Sequence, residues 1–275
     1  MEPEELAEHM TIARRVNDGK TALILACCNK QSDIALLLAD SMNKVDHVDG
    51  SGATALIWAC HNGMTDVAKN LIPKMDKIDH VTLNGNTALI LACWNGMTEV
   101  ARDLMTKMDK VDHVDKNGAT ALILACWRDM TDVAKNLISK MDKIDHVTLN
   151  GNTALIFACS SGMTEVAHSL IAKMDKIDHV NQKGQTALIW ACVKNMTDVI
   201  QKLHSKMENE KNIPDKIKIS SNIIDKITQT LGYKPDENSL SVHTVDRETF
   251  ILANACDNER IRKKPKSYTE VVNME

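Results

Sequence analysis

Two residue types that can do chemistry recur at a single spacing. His47, His80, His113, His146 and His179 each follow the last by 33 residues, and so do Cys27, Cys60, Cys93, Cys126, Cys159 and Cys192. Imidazoles and thiolates are the usual zinc ligands, and a thiol can also act as a nucleophile or close a disulfide. A third candidate is Gly19-Lys20-Thr21, which looks like the end of a phosphate-binding loop. Each fails on geometry or register. Metal ligands must converge to about 2 Å from the ion. Residues placed one per layer of a stack lie about 10 Å apart, the spacing of packed helices. The same step separates the cysteines, whereas a disulfide needs Cα atoms within roughly 7 Å. The phosphate loop needs a glycine five residues before Gly19, and Arg14 stands there. The histidines are therefore expected to hold loops through imidazole hydrogen bonds to backbone. The cysteines are expected to be small buried apolar groups. No histidine, acid and nucleophile stand together outside the period, so the chain is expected to be no enzyme and to need no metal or cofactor.

What must position these residues is the repeat. Gly19, Gly52, Gly85, Gly118, Gly151 and Gly184 each open the phrase G-x-T-A-L-I-x-A-C. Copies at a fixed period of this length are one supersecondary unit, stacked so that neighbours bury each other's apolar faces. In the second copy, Thr54 is a good N-cap for a helix over Ala55–His61. Leu56, Ala59 and Cys60 share one face of it. Asn62-Gly63 breaks that helix. Thr65 is expected to cap a second helix, with Asp66 in its first turn and Val67, Ala68, Leu71 and Ile72 as its apolar stripe. An extended loop from Met75 to Asn84 leads to the next glycine. Helices this short do not stand alone in water.

The pattern divides the chain into an N-terminal cap over 1–18, six repeats (19–51, 52–84, 85–117, 118–150, 151–183 and 184–207) and a C-terminal segment, 208–275. In 1–18, Leu6, Ala7, Met10, Ile12 and Ala13 have rough helical spacing. In 208–275, Ile223, Ile224, Ile227 and Leu231 suggest a helix, and Glu248 to Asn258 echoes the repeat phrase with one extra residue. That segment reads as a degenerate capping layer, with a separate small helical module as the alternative. Arg260 to Lys266 is a basic cluster, read as a solvated tail, with nuclear import or contact with an acidic partner as alternatives.

The array resembles the ankyrin repeat. The 33-residue period, the G-x-T opening and the 14 residues from Leu71 to Gly85 all match that family. Ala55 stands where the family has proline and Ile57 where it has histidine, so the family's Thr–His hydrogen bond is lost. Met75-Asp76 replaces the Gly-Ala that ends the second helix. Methionine in a left-handed cap would be costly, so a variant loop path is expected. The resemblance implies an all-α ankyrin-repeat solenoid, with extended loops between helix pairs, that binds a partner protein on its concave face.

The copies also differ in an ordered way. Repeats 52–84 and 118–150 differ at five places: Trp58/Leu124, His61/Trp127, Asn62/Arg128, Gly63/Asp129 and Pro73/Ser139. Four lie at the end of the first helix and the turn after it. Cores resist such change because overpacking costs about 1–3 kcal/mol. By resemblance, the partner-binding residues are then His61, Asn62, Trp94, Asn95, Trp127, Arg128, Ser160, Ser161, Val193 and Lys194, with loop tips Leu83, Lys116, Leu149 and Gln182. Trp and Arg dominate interface energies. Trp94 and Trp127 are expected to be exposed, whereas the Trp58, Phe157 and Trp190 position reads as packing. Drift on an unconstrained surface is the plainer account of the copy differences.

Composition narrows the rest. Net charge is −4, spread along 275 residues, with 3% aromatics. This gives no support to nucleic-acid or membrane binding. No apolar run is long enough to span a bilayer, and the acidic start has no secretory core. Cysteine use points to a reducing, cytoplasmic setting, with the nucleus as the alternative. The expected partner is a protein, with no small-molecule substrate, and the expected state is a monomer. The alternative function is an adaptor, of a kind met in ankyrin proteins of large DNA viruses and intracellular bacteria. There the array selects a target and 208–275 recruits other machinery.

Overall fold

The computed structural model of the protein describes residues 19–42 and 44–209. The chain divides into two compact units after Lys143, a cut that falls inside the fourth repeat. The expectations for 1–18 and for 210–275, the basic cluster and Cys256 among them, lie outside the described residues.

The first unit holds four helix pairs: α1 (Ala22–Cys28) with α2 (Ser32–Ser41), α3 (Ala55–His61) with α4 (Thr65–Leu71), α5 (Ala88–Trp94) with α6 (Thr98–Lys107), and α7 (Ala121–Trp127) with α8 (Thr131–Lys140). The second holds α9 (Ala154–Ser161) with α10 (Thr164–Lys173) and α11 (Ala187–Val193) with α12 (Thr197–Asn209). Within each unit, first helices pack on first helices and second on second. Among the described residues no strand forms, and the loops carry only isolated bridges such as Val114 to Thr120.

Every first helix starts as the sequence predicts. Thr54, Thr87 and Thr120 lie in extended backbone, and each Oγ1 accepts the N–H three residues on, at 3.2, 3.2 and 3.3 Å. Thr153 and Thr186 do the same in the second unit. These helices are buried nearly all round, because the neighbouring first helices and their own second helix enclose them. Leu56, Ala59 and Cys60 are all buried, as their spacing requires.

The second helices begin one residue earlier than expected. The cap position is Met64, not Thr65, and it makes no side-chain capping bond. Met97, Met130 and Met163 repeat this. The reason is hydrophobic: each Met side chain is drawn into the core, and Thr65 becomes the first helical residue. The end of the second helix takes the variant path. Met75, Met108, Met141 and Met174 are extended, with φ between −89° and −74°, and are buried. No left-handed residue is needed there. Lysines instead reach the open carbonyls of the preceding second helix. Lys107 Nζ donates to Ile72 O at 3.1 Å, Lys140 to Met105 O at 2.5 Å, and Lys206 to Ile171 O at 2.8 Å. This satisfies helix-end acceptors that lack intrahelical partners.

The loops close on an acceptor two residues before the tip's far side. Asp49 Oδ1 takes the N–H groups of Ser51 and Ala53, and Asp115 Oδ1 takes those of Asn117 and Ala119. Asn181 Oδ1 does the same for Lys183 and Gln185. Gly85 lies in a loop where Thr82 Oγ1 takes the Asn86 N–H instead; its φ is +78°, and a Cβ there would meet Val114 O at 2.6 Å. Only glycine fits so close an approach. His47 fills its expected loop role, with Nε2 at 2.7 Å from Gly19 O. The equivalent His80 Nε2 is buried and makes no hydrogen bond, and in His113 it is the other ring nitrogen, Nδ1, that makes none. The described cysteines are free thiols, and burial pushes the Cys27 and Cys159 thiols up to about 12.

Candidate functional site

The ends of the first helices and the turns after them form rows, one residue per repeat. In the first unit one row runs Cys28, His61, Trp94, Trp127. Trp94 and Trp127 stack with ring centroids 4.9 Å apart and 12° between planes. The Arg128 guanidinium lies over both rings, 4.1 Å from the Trp127 centroid and 5.3 Å from that of Trp94. Such contacts contribute on the order of 0.5–2 kcal/mol each.

The expected exposure of Trp94 is corrected by this stack. Trp94 keeps only 5% of its surface, because the Trp127 ring covers it from the next repeat. Trp127 is half-buried and carries the accessible surface of the pair. Trp58, Phe157 and Trp190 pack as expected: Phe157 and Trp190 are buried, and Trp58 is half-buried with its Nε1–H donating to Asp49 Oδ2 at 2.9 Å.

A second row has a structural task that its sequence variation hides. Asn62 Nδ2 donates to Cys27 O at 2.8 Å and Cys28 O at 3.2 Å. Asn95 Nδ2 donates to Cys60 O at 2.7 Å and His61 O at 2.9 Å. Arg128 stands at the same register, and its Nε donates to Trp94 O. Each side chain thus reaches back one repeat to the free carbonyls ending the previous first helix. Asn62 and Asn95 are committed to the frame. Arg128 performs the same capping with Nε and keeps its two Nη groups.

The other predicted residues are placed as follows. His61 is exposed and meets Trp58 edge-on at 5.6 Å and 87°. Although the side chain reaches the surface, partial desolvation by the surrounding protein, then the Lys30 charge, holds its imidazole below the usual histidine range. Leu83 is 84% exposed, and Lys116 is exposed at the next loop tip. Backbone ties each tip to the one before it: Leu83 N–H donates to Ser51 O and Lys116 N–H to Asn84 O, both at 2.9 Å. In the second unit Ser160, Ser161 and Val193 are half-buried and Lys194 is exposed. The Ser160 hydroxyl donates to Phe157 O of its own helix. Leu149 is exposed at 62%, and Gln182 Nε2 donates to its carbonyl at 3.1 Å.

Sequence reasoning missed two contributions to this face. Lys20 lies with Nζ 5.0 Å above the Trp58 ring and 3.8 Å from Cys28 Sγ. Val48, Val81 and Val114 are exposed beside the tips. The valines carry a readable signal, since each stands two residues before its tip; Lys20 does not, because the equivalent residues are Ala53, Asn86 and Ala119. Among the described residues, no group of three or more His, Cys, Asp or Glu side chains is placed to hold a metal ion, and no helix is long and apolar enough to cross a membrane.

Paired helices of fixed register, joined by extended loops and repeated every 33 residues, define a helical repeat protein. The chain belongs to the ankyrin-repeat family: a family model described as ankyrin repeats in three copies matches residues 4–81, 23–116, 62–148 and 132–215. Among solved structures, a similar chain comes from one titled as a predatory endopeptidase of Bdellovibrio bacteriovorus in complex with an immunity protein. It is 26% identical with a TM-score of 0.51, and the match covers 68% of this chain and 98% of that one. No curated protein matches this chain.

Proposed function

We infer that this protein binds a partner protein through the first-helix ends and loop tips, with no chemical step of its own. The observation that carries this is the contrast between repeats 52–84 and 118–150. Their buried frame differs only at Trp58/Leu124, while the exchanges to Trp127, Arg128 and Asp129 cluster on one face. Family membership and a structural neighbour solved as a protein complex support the same reading. A frame ordered before the encounter lowers the entropy cost of association. Trp127 and Leu83 are the apolar anchors, and Arg128, Lys116 and His61 are the polar contacts. In the second unit Leu149, Gln182 and Lys194 are the corresponding contacts by resemblance to the family.

The test is affinity capture of partners by the full chain, beside Trp127→Ala and Leu83→Asp. Trp127→Ala is expected to weaken capture by roughly tenfold or more, as loss of an interface tryptophan does. Its thermal midpoint should fall by only a few degrees, since the loss is about one aromatic pair. Partners captured equally by both variants would remove the reading.

A further inference from the structure

We propose that the face of the first unit takes an acidic segment of its partner, with carboxylates seated against Arg128 and Lys20; this rests on the protein-binding reading above. The two units of charge on this unit's surfaces are arranged differently. On the second helices, cations are paired: Lys69 with Glu99, Lys74 with Asp40, and Arg102 with Asp132. On the first-helix face, Lys20, Lys30, Lys116 and Arg128 make no ion pair among the described residues. The acids near them are turned inward. The Asp49 carboxylate is used by Ser51, Ala53 and Trp58, and that of Asp115 by Asn117 and Ala119. Only Asp129 among the turn residues leaves an exposed carboxylate beside the cations. The face is therefore cationic although the chain as a whole carries −4.

The cations are also held ready. Arg128 is fixed by its Nε bond to Trp94 O and by the two indoles beneath it. Its Nη groups remain for a carboxylate, and a planar fork of this kind gives the stronger, shorter charge-assisted bonds. Lys20 is held over Trp58. A side chain already fixed loses little rotamer freedom on binding. A nucleic acid fits less well: its affinity needs many phosphate contacts, and Trp94 is buried and offers no free ring face for a base.

The experiment selects phage-displayed random dodecapeptides on the full chain. Enriched peptides are synthesised and titrated by fluorescence polarisation against wild type, Arg128→Asn, Lys20→Asn and Trp127→Ala. The asparagine changes keep the frame, because Asn62 and Asn95 make the same reach-back bonds in their repeats and Asn86 occupies the Lys20 position. Circular dichroism melts confirm that each variant is folded. The expected result is enrichment of Asp and Glu, a loss of roughly tenfold in affinity for Arg128→Asn, a smaller loss for Lys20→Asn, and weakening with added salt. Binders without acidic enrichment that still depend on Trp127 would overturn the acidic class and leave the binding face standing. Acidic binders indifferent to all three changes would overturn both. No enriched peptide would overturn the proposal that a linear acidic segment is recognised. Oligothymidylate of similar length, bound with the same dependence on Arg128, would replace the proposal with nucleic acid.

Discussion

The first unit fills one surface row with His61, Trp94 and Trp127, where the second has Ser160 and Val193. Beneath those rows the two units are built alike. Thr87 caps α5 and Thr153 caps α9 with the same bond at 3.2 Å. Leu104 and Leu170 are both wholly buried in the second helices. Stacked indoles in one unit and a serine hydroxyl bonded within its own helix in the other rest on the same support. The stability of the repeat therefore resides in the buried phrase and its caps, which the units share, while the row of His61, Trp94 and Trp127 differs from that of Ser160 and Val193.

That comparison breaks if the frames respond differently. The largest effect is expected from Leu104→Ala and Leu170→Ala. Each should cost about 2–5 kcal/mol, because a cavity opens in a layer that cannot collapse. Chemical denaturation should show similar losses for both; a cost confined to one unit would mean that its surface row shares the load. Next come the loop glycines. Gly85→Ala should cost about 3 kcal/mol or more, adding left-handed strain to a clash with Val114 O and Asp115 Cα. Gly151→Ala should match it, since its Cβ would lie 2.7 Å from Asn181 Cα. Gly96→Ala, with open space around it at φ +69°, should cost only about 1 kcal/mol.

The smallest effect concerns the loop acceptors. Burial raises the Asp115 carboxyl above the usual aspartate range, against the pull of bonds from Ala119 and Asn117. A folded pKa above the unfolded one means that the group favours folding below the unfolded pKa. That contribution is lost as pH rises through the folded pKa. Asn181 shows that an amide oxygen can hold the same turn. Asp115→Asn should thus stabilise the first unit at neutral pH by a few tenths of a kcal/mol, with the gain shrinking in acid. Asp49 behaves oppositely. Burial again pushes its carboxyl up, but bonds from Ser51, Trp58 and Ala53 outweigh this and hold it low. Its stabilising contribution is present above the unfolded pKa and is lost as pH falls through the folded one. Asp49→Asn should therefore destabilise at neutral pH. Melting curves over an acid-to-neutral series check both signs.

The period was enough to read the helix pairs, the threonine caps and the burial of the periodic cysteines from Cys27 to Cys159, while Cys192 in the last repeat is half-buried. Those features depend on contacts that recur in every layer, so the chain states them six times. It also showed, through the loss of glycine at Met75, that the second helix must end differently. The cap of the second helix was misread because threonine is the better local cap, while the methionine before it is claimed by the core. A local preference worth about 1 kcal/mol gives way to a buried side chain worth more.

The face needed the tertiary structure. Trp94 and Trp127 are 33 residues apart, and nothing in their spacing says whether the rings point at solvent or at each other. Stacking the layers brought the centroids to 4.9 Å and buried the first ring. Asn62, Asn95 and Arg128 vary as binding residues do, yet all three reach back one layer to a helix end. Sequence determines the repeated unit, because each unit's own residues set its caps, turns and apolar stripe. Only the distance between layers decides which side chain is covered and which is left to meet a partner.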